Sequence, residues 1–279
     1  MKKIEFYKLS GSGNDFIIID NRDRIVDENN LPAFISKVCR RKLSVGADGF
    51  ILVENSDVAD FKWRFYNSDG SNAEMCGNGA RCVARFAYFN NISGKKISFE
   101  TDAGIISAEV INDRVKVKLP DPFDFQSDYT LKLKNSCLTV SSINTGVPHV
   151  VLTADEVDDM DDLFNTGKEI RFHERYAPAG TNVNFVCLHK DGENNSSIKI
   201  RTYERGVEDE TLACGTGSIA GALVMAKKFG LKSPVNVITR GGESLKIYFK
   251  KNKKGFKDIF LEGNACIIYK GEIFKDAWI

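Results

Sequence analysis

The sequence MCGNG at residues 75–79 returns as ACGTG at residues 213–217, so the chain carries one cysteine signature twice. The flanking sequence repeats as well, since FKWRFY at residues 61–66 precedes the first copy and IKIRTY at residues 198–203 precedes the second. A Thr-x-x-Gly turn at residues 101–104 returns at 239–242, with the same offset of 138 positions (214 − 76 = 138) that separates the two cysteines. The repeat predicts two copies of one folding unit, each of which offers one thiol.

Both copies predict the same order of elements. Alternating polarity and turn residues indicate strands at 61–66, 97–101, 105–110 and 115–119 with a helix at 77–89, and strands at 198–203, 235–239 and 244–249 with a helix at 216–229. The two prolines of LPDP, residues 119–122, favour a linker because proline neither continues a helix nor donates to a sheet. We therefore expect an N-terminal domain at 1–121, a C-terminal domain at 122–264, and a last stretch at 265–279 that folds back onto the first domain.

The composition is that of a soluble globular protein. The chain has 279 residues, of which 42% are hydrophobic and 28% charged, and its formal net charge is +1. This charge gives no reason to expect nucleic acid or an anionic membrane as a partner. Glu5 and Lys8 interrupt any apolar segment near the N-terminus, and no apolar run approaches the ~18 residues that a membrane span requires. We expect a cytoplasmic protein.

Seven cysteines in such a chain do not predict a disulfide framework, because the count is odd and the cytoplasm is reducing. We expect five of them to be buried packing residues: Cys39, Cys82, Cys137, Cys187 and Cys266. A zinc site is a poor alternative, because the chain has no Cys-x-x-Cys pair and only three histidines. Cys76 and Cys214 remain as the candidates for chemistry.

The two signatures have a clear chemical interpretation. A Cys-Gly-x-Gly segment between a strand and a helix places the thiol at the helix N-terminus, where unpaired N–H groups and the positive end of the helix dipole favour an anion. A thiolate or a substrate carboxylate would be stabilised there, and the glycines allow the backbone to approach a ligand closely. Two thiols facing each other across a substrate can remove a proton from one face of a carbon and return it to the other.

Three further segments have a plain interpretation as well as a functional one. SGSGNDF at residues 10–16 is typical of a turn before a strand, and His149 beside Pro148 is typical of a structural histidine. Glu204 and Arg205 are consistent with a surface ion pair of little energetic value.

Taken together, GSGNDF, NSDG, MCGNGARC, NTGVPH, GTNVNF, YERG and ACGTGS resemble the diaminopimelate epimerases, a family of amino-acid epimerases that use no cofactor. The resemblance implies an α/β (α+β) fold of two pseudo-symmetric domains, each a barrel-like, mostly antiparallel sheet around a central helix, with the active site in the cleft between them. It also implies epimerisation of LL-2,6-diaminopimelate to meso-diaminopimelate by a thiol and a thiolate. This reaction serves lysine and peptidoglycan precursor biosynthesis, with neither pyridoxal phosphate nor a metal, in a homodimer.

The resemblance assigns roles by position in the motifs. Cys76 and Cys214 would be the acid and base, and His149 and Glu204 would set the protonation of the two thiols. Asn14, Asn67, Asn182 and Arg205 would bind the far end of the substrate through their side chains, and Gly77, Asn78, Gly215 and Thr216 would bind its reacting end through N–H groups. Glu204 is a substrate-binding candidate as well.

The sequence is also compatible with three different functions. A related cofactor-independent racemase could act on another amino acid, although Asn78 stands where proline-racemase relatives tend to carry histidine. Gly49 and Val147 stand where the family can carry glutamine and asparagine. Glycine and valine have no side-chain hydrogen bonds to offer, so the region expected to bind the far end of the substrate loses them. A thiol redox protein is disfavoured by the lack of Cys-x-x-Cys, and a non-catalytic binding protein is disfavoured by the retention of both thiols.

Overall fold

The computed structural model describes residues 3–73, 75–158, 160, 162–189, 197–253 and 255–278. The chain divides into two compact units, Met1–Lys118 with Glu262–Ile279, and Leu119–Leu261. The domain limits drawn from the sequence, 1–121 with 265–279 and 122–264, stay a prediction.

The elements follow the chain in two similar series. The first series is β1 (Ile4–Gly11), β2 (Asn14–Asp20), α1 (Leu31–Val38), β3 (Gly49–Glu54), β4 (Phe61–Asn67), α2 (Gly77–Phe89), β5 (Lys96–Thr101), β6 (Gly104–Ile111) and β7 (Arg114–Lys118). The second is β8 (Phe123–Lys132), β9 (Cys137–Asn144), β10 (Pro148–Thr153), α3 (Leu163–Arg171), β11 (Asn182–His189), β12 (Ser197–Glu204), β13 (Asp209–Thr211), α4 (Gly215–Phe229), β14 (Val235–Ile238), β15 (Ser244–Asn252), β16 (Gly255–Asn264) and β17 (Cys266–Ile273).

Strand pairing repeats between the units. In the first, β17, β1, β2, β3, β4, β5, β6 and β7 pair in that order, and only the pairs β2–β3 and β4–β5 are parallel. In the second, β8, β9, β10, β11, β12, β14 and β15 pair in that order, and only β10–β11 and β12–β14 are parallel. The equivalent parallel pairs begin with Phe16 opposite Gly49 and with His149 opposite Asn182.

Each unit has a central helix, and this confirms the mostly antiparallel α/β fold expected from the sequence. Helix α2 packs against β1, β2, β3, β6, β7 and β17, and α4 packs against β9, β10, β11, β12, β14 and β15. Residues Gly217–Ala226 of α4 are buried without interruption, as expected of a helix enclosed on all sides. On the other face of each sheet, α1 and α3 cover a second apolar cluster.

The predicted strands and helices are found, with shifted ends. Helix α2 has the predicted limits, whereas α4 begins at Gly215, one residue early, and β15 continues to Asn252. No helix of the described residues is long and apolar enough to cross a membrane.

The expectation of five buried packing cysteines is wrong for two of them. Cys39, Cys82 and Cys187 are buried, but Cys137 and Cys266 are exposed. Each begins a strand, and side chains alternate between the two faces of a strand. Cys137 shares the exposed face with Thr139, and Cys266 shares it with Ile268, so their apolar sequence neighbours do not bury them.

Candidate functional site

Cys76 is the N-cap of the central helix of the first unit. Its backbone is extended (φ −142°, ψ 119°), and its Sγ accepts a hydrogen bond of 3.4 Å from the N–H of Gly79. The N–H of Ala80 donates to its carbonyl oxygen at 2.8 Å, which is the first hydrogen bond within the helix. The sulfur therefore lies where a cap acceptor lies, at the positive end of α2.

Cys214 repeats this arrangement in the second unit. Its backbone is again extended (φ −120°, ψ 115°), and the N–H of Gly217 donates to its Sγ at 3.4 Å. The hydroxyl of Thr216 lies 3.5 Å from the same sulfur. Cys214 is buried, whereas Cys76 is half-buried. The sequence repeat is thus also a repeat of thiol geometry.

The residues that follow each cysteine occupy the first two helical positions. Gly77 and Asn78 begin α2, and Gly215 and Thr216 begin α4, so their N–H groups point out of the helix ends with no acceptor in the preceding turn. A Cβ at position 77 would meet no atom within 4 Å, so the space on the side-chain side of Gly77 is open. These four N–H groups suit a carboxylate, which remains a prediction.

A buried polar network fixes Asn14 and Asn78 in the first unit. The amide of Asn78 donates to Asn14 Oδ1 at 2.7 Å, and Asn14 in turn donates to Asp48 Oδ2 at 3.2 Å. Arg81, which is 0% exposed, donates to Asn78 Oδ1 at 3.0 Å and also to the hydroxyl of Ser12. No sequence pattern pointed to Arg81 or Asp48. Each residue matters through hydrogen bonds to residues that are distant in the chain, such as Ser12 for Arg81 and Asn14 for Asp48.

Charged side chains form ion pairs next to this network. Arg41 donates to Asp15 at 2.6 Å and to Asp48 at 2.7 Å, and Lys8 pairs with Asp15 at 2.8 Å. Burial raises the pKa of Asp15, but the hydrogen bonds from Lys8 and Arg41 outweigh it, so the pKa of this carboxyl lies below its ordinary value. Asp15 therefore holds the loop around Asn14 as a carboxylate.

Asn67 stands apart from this network. It is exposed at the end of β4, where its amide donates to Ser71 Oγ at 3.0 Å, and it pairs in register with Gly49. A Cβ at Gly49 would lie 2.7 Å from the ring of Phe65 and 2.9 Å from that of Phe16. The space that a glutamine at position 49 would need is thus occupied by two aromatic rings.

Asn182 and Arg205 are neighbours in the second unit. Asn182 is buried, accepts from the backbone N–H of Arg205 at 2.9 Å, and donates to the carbonyl of Pro148 at 3.3 Å. The half-buried guanidinium of Arg205 donates to the carbonyl of Ala179 at 3.3 Å. Asn182 therefore braces the backbone next to Arg205 and His149, and its predicted contact with a substrate stays a prediction.

Glu204 ends β12 and does not form the surface ion pair that its sequence context allowed. Thr211 donates to its Oε2 at 2.8 Å. Burial raises the pKa of the carboxyl, and the hydrogen bond from Thr211 offsets this only in part. A carboxyl with a raised pKa is better matched to proton exchange near neutral pH than an exposed one.

His149 lies inside the second unit with 1% of its surface exposed. Its Nδ1 is 3.1 Å from the amide nitrogen of Asn184. Burial, followed by the charge of Arg205, lowers the pKa of the imidazole to about 3, so the ring is neutral at ordinary pH. Sequence reasoning missed Asn184, although the alternation of a strand places it on the same face as Asn182, two residues before it.

Comparison with known proteins gives one family over nearly the whole chain. The family model for "Diaminopimelate epimerase" matches residues 6–122 and 141–268. A diaminopimelate epimerase of Aquifex aeolicus is 47% identical, with 98% of this chain and 99% of the relative covered. One of Methanocella arvoryzae is 41% identical, with 99% of each chain covered.

Solved structures with little sequence identity share the fold. A PhzF-family phenazine biosynthesis protein of Bacillus anthracis superposes with a TM-score of 0.74 at 18% identity, covering 98% of this chain and all of the other. A probable proline racemase of Agrobacterium radiobacter superposes with a TM-score of 0.69 at 13% identity, covering 98% and 93%. These likenesses concern the fold alone.

Proposed function

The chain belongs to the diaminopimelate epimerase family, and on this premise we propose that it is an isomerase that converts LL-2,6-diaminopimelate to meso-diaminopimelate. The observation that carries the proposal is the pair of thiols at Cys76 and Cys214, each a helix N-cap whose sulfur accepts a 3.4 Å hydrogen bond from the third helical N–H. No single cysteine would supply both a base and an acid for the inversion of a carbon.

In the proposed reaction, one cysteine acts as thiolate and the other as thiol. The thiolate takes the α-proton, so that the Cα–H bond breaks and an S–H bond forms. The other thiol then gives its proton to the opposite face of the carbon, so that its S–H bond breaks and a new Cα–H bond forms. The two cysteines exchange roles when the reaction runs in reverse.

The reacting carbon needs electrostatic help, because the α-proton of an amino acid is a very weak acid. We assign this help to the N–H groups of Gly77, Asn78, Gly215 and Thr216, which would bind the carboxylate on which negative charge develops. One well-placed donor of this kind contributes about 3–4 kcal/mol of transition-state stabilisation.

The remaining site residues would set protonation and specificity. The neutral ring of His149 and the half-buried carboxyl of Glu204 would govern which thiol is ionised. Asn14, Asn67, Asn182 and Arg205 would bind the distal amino and carboxylate groups, and Glu204 would also contact the substrate. The proposal also includes catalysis without pyridoxal phosphate, a place in lysine and peptidoglycan precursor biosynthesis, a cytoplasmic location and a homodimer.

A second candidate is a related racemase with a different amino-acid substrate. One observation favours it. Phe16 and Phe65 occupy the space beside Gly49 that a glutamine side chain would need in order to bind the far end of the substrate. The test is an NMR assay of solvent deuterium uptake at the α-carbon across a panel of amino acids. Uptake into diaminopimelate above all others supports the main proposal, and uptake into another amino acid supports the second. Failure of every amino acid to exchange would refute both.

A further inference from the structure

Asn184 is completely buried in the middle of the second unit, and every polar atom of its side chain has a partner. Its Nδ2 lies 3.0 Å from the carbonyl oxygen of Val150 and 3.1 Å from Nδ1 of His149. Its Oδ1 accepts a 3.0 Å hydrogen bond from the hydroxyl of Thr202. Three neighbouring strands, β10, β11 and β12, thus meet at one amide.

The protons of this cluster can be assigned by elimination. A carbonyl oxygen such as that of Val150 only accepts, so the atom facing it is the amide nitrogen. One N–H of that amide serves Val150, and the other points at the ring of His149. Nδ1 of His149 must therefore accept, which places the proton of the neutral ring on Nε2.

The second nitrogen of the ring, Nε2, differs from Nδ1 in its surroundings. Within the described residues it has no hydrogen-bond partner, although it is buried. An unsatisfied buried donor costs about 1–3 kcal/mol, so this N–H destabilises the fold unless it serves another purpose.

The cluster lies directly under the helix that carries Cys214. A Cβ added at Gly217 would overlap Oδ1 of Asn184, and it would lie 3.3 Å from Sγ of Cys214. Gly79 occupies the equivalent position of the first unit, and there a Cβ would make ordinary contacts with Phe16 at 3.4 Å and Trp63 at 3.5 Å. Aromatic rings thus pack against the N-terminal turn of α2. A polar cluster packs against that of α4, so closely that only glycine fits at position 217.

We propose that Asn184 is a positioning residue that holds His149 in the Nε2–H tautomer, so that Nδ1 is occupied and cannot act as a base while the neutral ring offers Nε2–H as a donor. The tautomer itself follows from this cluster alone, and only its effect on turnover rests on the proposed function. His149 then acts by donating a hydrogen bond from Nε2, whatever group that N–H meets.

The tautomer can be read directly by NMR of protein labelled with ¹⁵N-histidine. The chain has only three histidines, and His149→Gln identifies the signals of His149. We expect the wild-type ring to be protonated at Nε2 and unprotonated at Nδ1. A wild-type ring that carries its neutral proton on Nδ1 would overturn the proposal without any further variant.

Two variants test whether Asn184 is the cause. Asn184→Asp keeps the shape but can only accept, so the proton should move to Nδ1 or the ring should become doubly protonated, with kcat falling about 10²-fold and KM nearly unchanged. Thr202→Val alters the same buried cluster while leaving both N–H bonds of Asn184 in place, and its His149 signals should match wild type. An unchanged tautomer in a folded Asn184→Asp protein would refute the proposal. If the tautomer changes and turnover does not, Asn184 sets the tautomer but has no catalytic part, and that half of the proposal falls.

Discussion

Replacing Gly217 with alanine should destabilise the protein, although the same change at Gly79 should not. The two residues hold the same place in their helices, each donating its N–H to the cap cysteine at 3.4 Å. In a helix, alanine is more favourable than glycine by up to about 1 kcal/mol. At Gly79 the new methyl group would make only van der Waals contacts, the nearest at 3.4 Å, so we expect Gly79→Ala to be neutral or stabilising by up to about 1 kcal/mol.

At Gly217 two costs exceed that gain. The methyl group would overlap Oδ1 of Asn184, and overpacking of this kind costs about 1–3 kcal/mol. If Asn184 moves away, its buried hydrogen bonds to Thr202, Val150 and His149 break, and each group left unpaired costs about 1–3 kcal/mol. The net expectation is a loss of about 1–4 kcal/mol.

Urea unfolding of wild type and both variants, followed by circular dichroism, measures these differences from the transition midpoints. A double variant adds a control, because Asn184→Ala removes the atom that the methyl group meets. Gly217→Ala should then cost less in the Asn184→Ala background than in wild type, by at least about 1 kcal/mol. Equal effects at Gly79 and Gly217, or strict additivity of the two changes in the second unit, would refute the reasoning.

Three further predictions follow from the same geometry. Cys76→Ser and Cys214→Ala should each lower the rate of epimerisation by at least about 10³-fold in steady-state assays, because a hydroxyl or a methyl cannot replace a thiolate. The circular dichroism spectrum should be unchanged, and near-normal turnover in either variant would exclude the two-thiol mechanism. Arg205→Lys should lower kcat/KM for diaminopimelate at least tenfold and leave a monocarboxylic amino acid little affected, because lysine cannot bind a carboxylate bidentately; equal losses on both substrates would show that Arg205 serves the scaffold instead. Folding lowers the pKa of His149 from 6.5 to about 3. Between these two pH values the ring is therefore protonated in the unfolded chain and neutral in the folded chain. The free energy of unfolding should therefore fall by about 1.4 kcal/mol per pH unit as pH drops through this window. His149→Gln should remove about 2 kcal/mol of the difference in unfolding free energy between pH 6.5 and about pH 5. The same pH dependence in that variant would count against a buried neutral ring.

The parts of the site that depend on local sequence were predictable. A cysteine followed by Gly-x-Gly after a strand is an N-cap by its own chemistry, so the positions of Cys76 and Cys214 at helix ends could be read from the signatures. The limits of α2 were also predicted, from the glycines that open it and the stretch rich in Ala, Val and Phe that continues to Phe89.

The parts that depend on strand register were not predictable. Asn184 reaches His149 only because β10 and β11 run parallel with His149 opposite Asn182, and no local pattern specifies that pairing. Asp48 likewise acts through Asn14, and Arg81 joins Asn78 to Ser12; Asn14 and Ser12 are remote from these partners in the sequence. Buried polar residues of this kind look like ordinary helix or loop residues until their partners are known.

The central claim is that two different thiols act on opposite faces of one carbon. It is tested most directly by incubating LL-diaminopimelate with the enzyme in D₂O and analysing both isomers by NMR at low conversion. If one cysteine removes the proton and another supplies a new one, the meso product should carry deuterium at the inverted carbon while the remaining LL substrate keeps its hydrogen. Product that retains the original hydrogen would show that a single base moves the proton between the two faces, and would contradict the account.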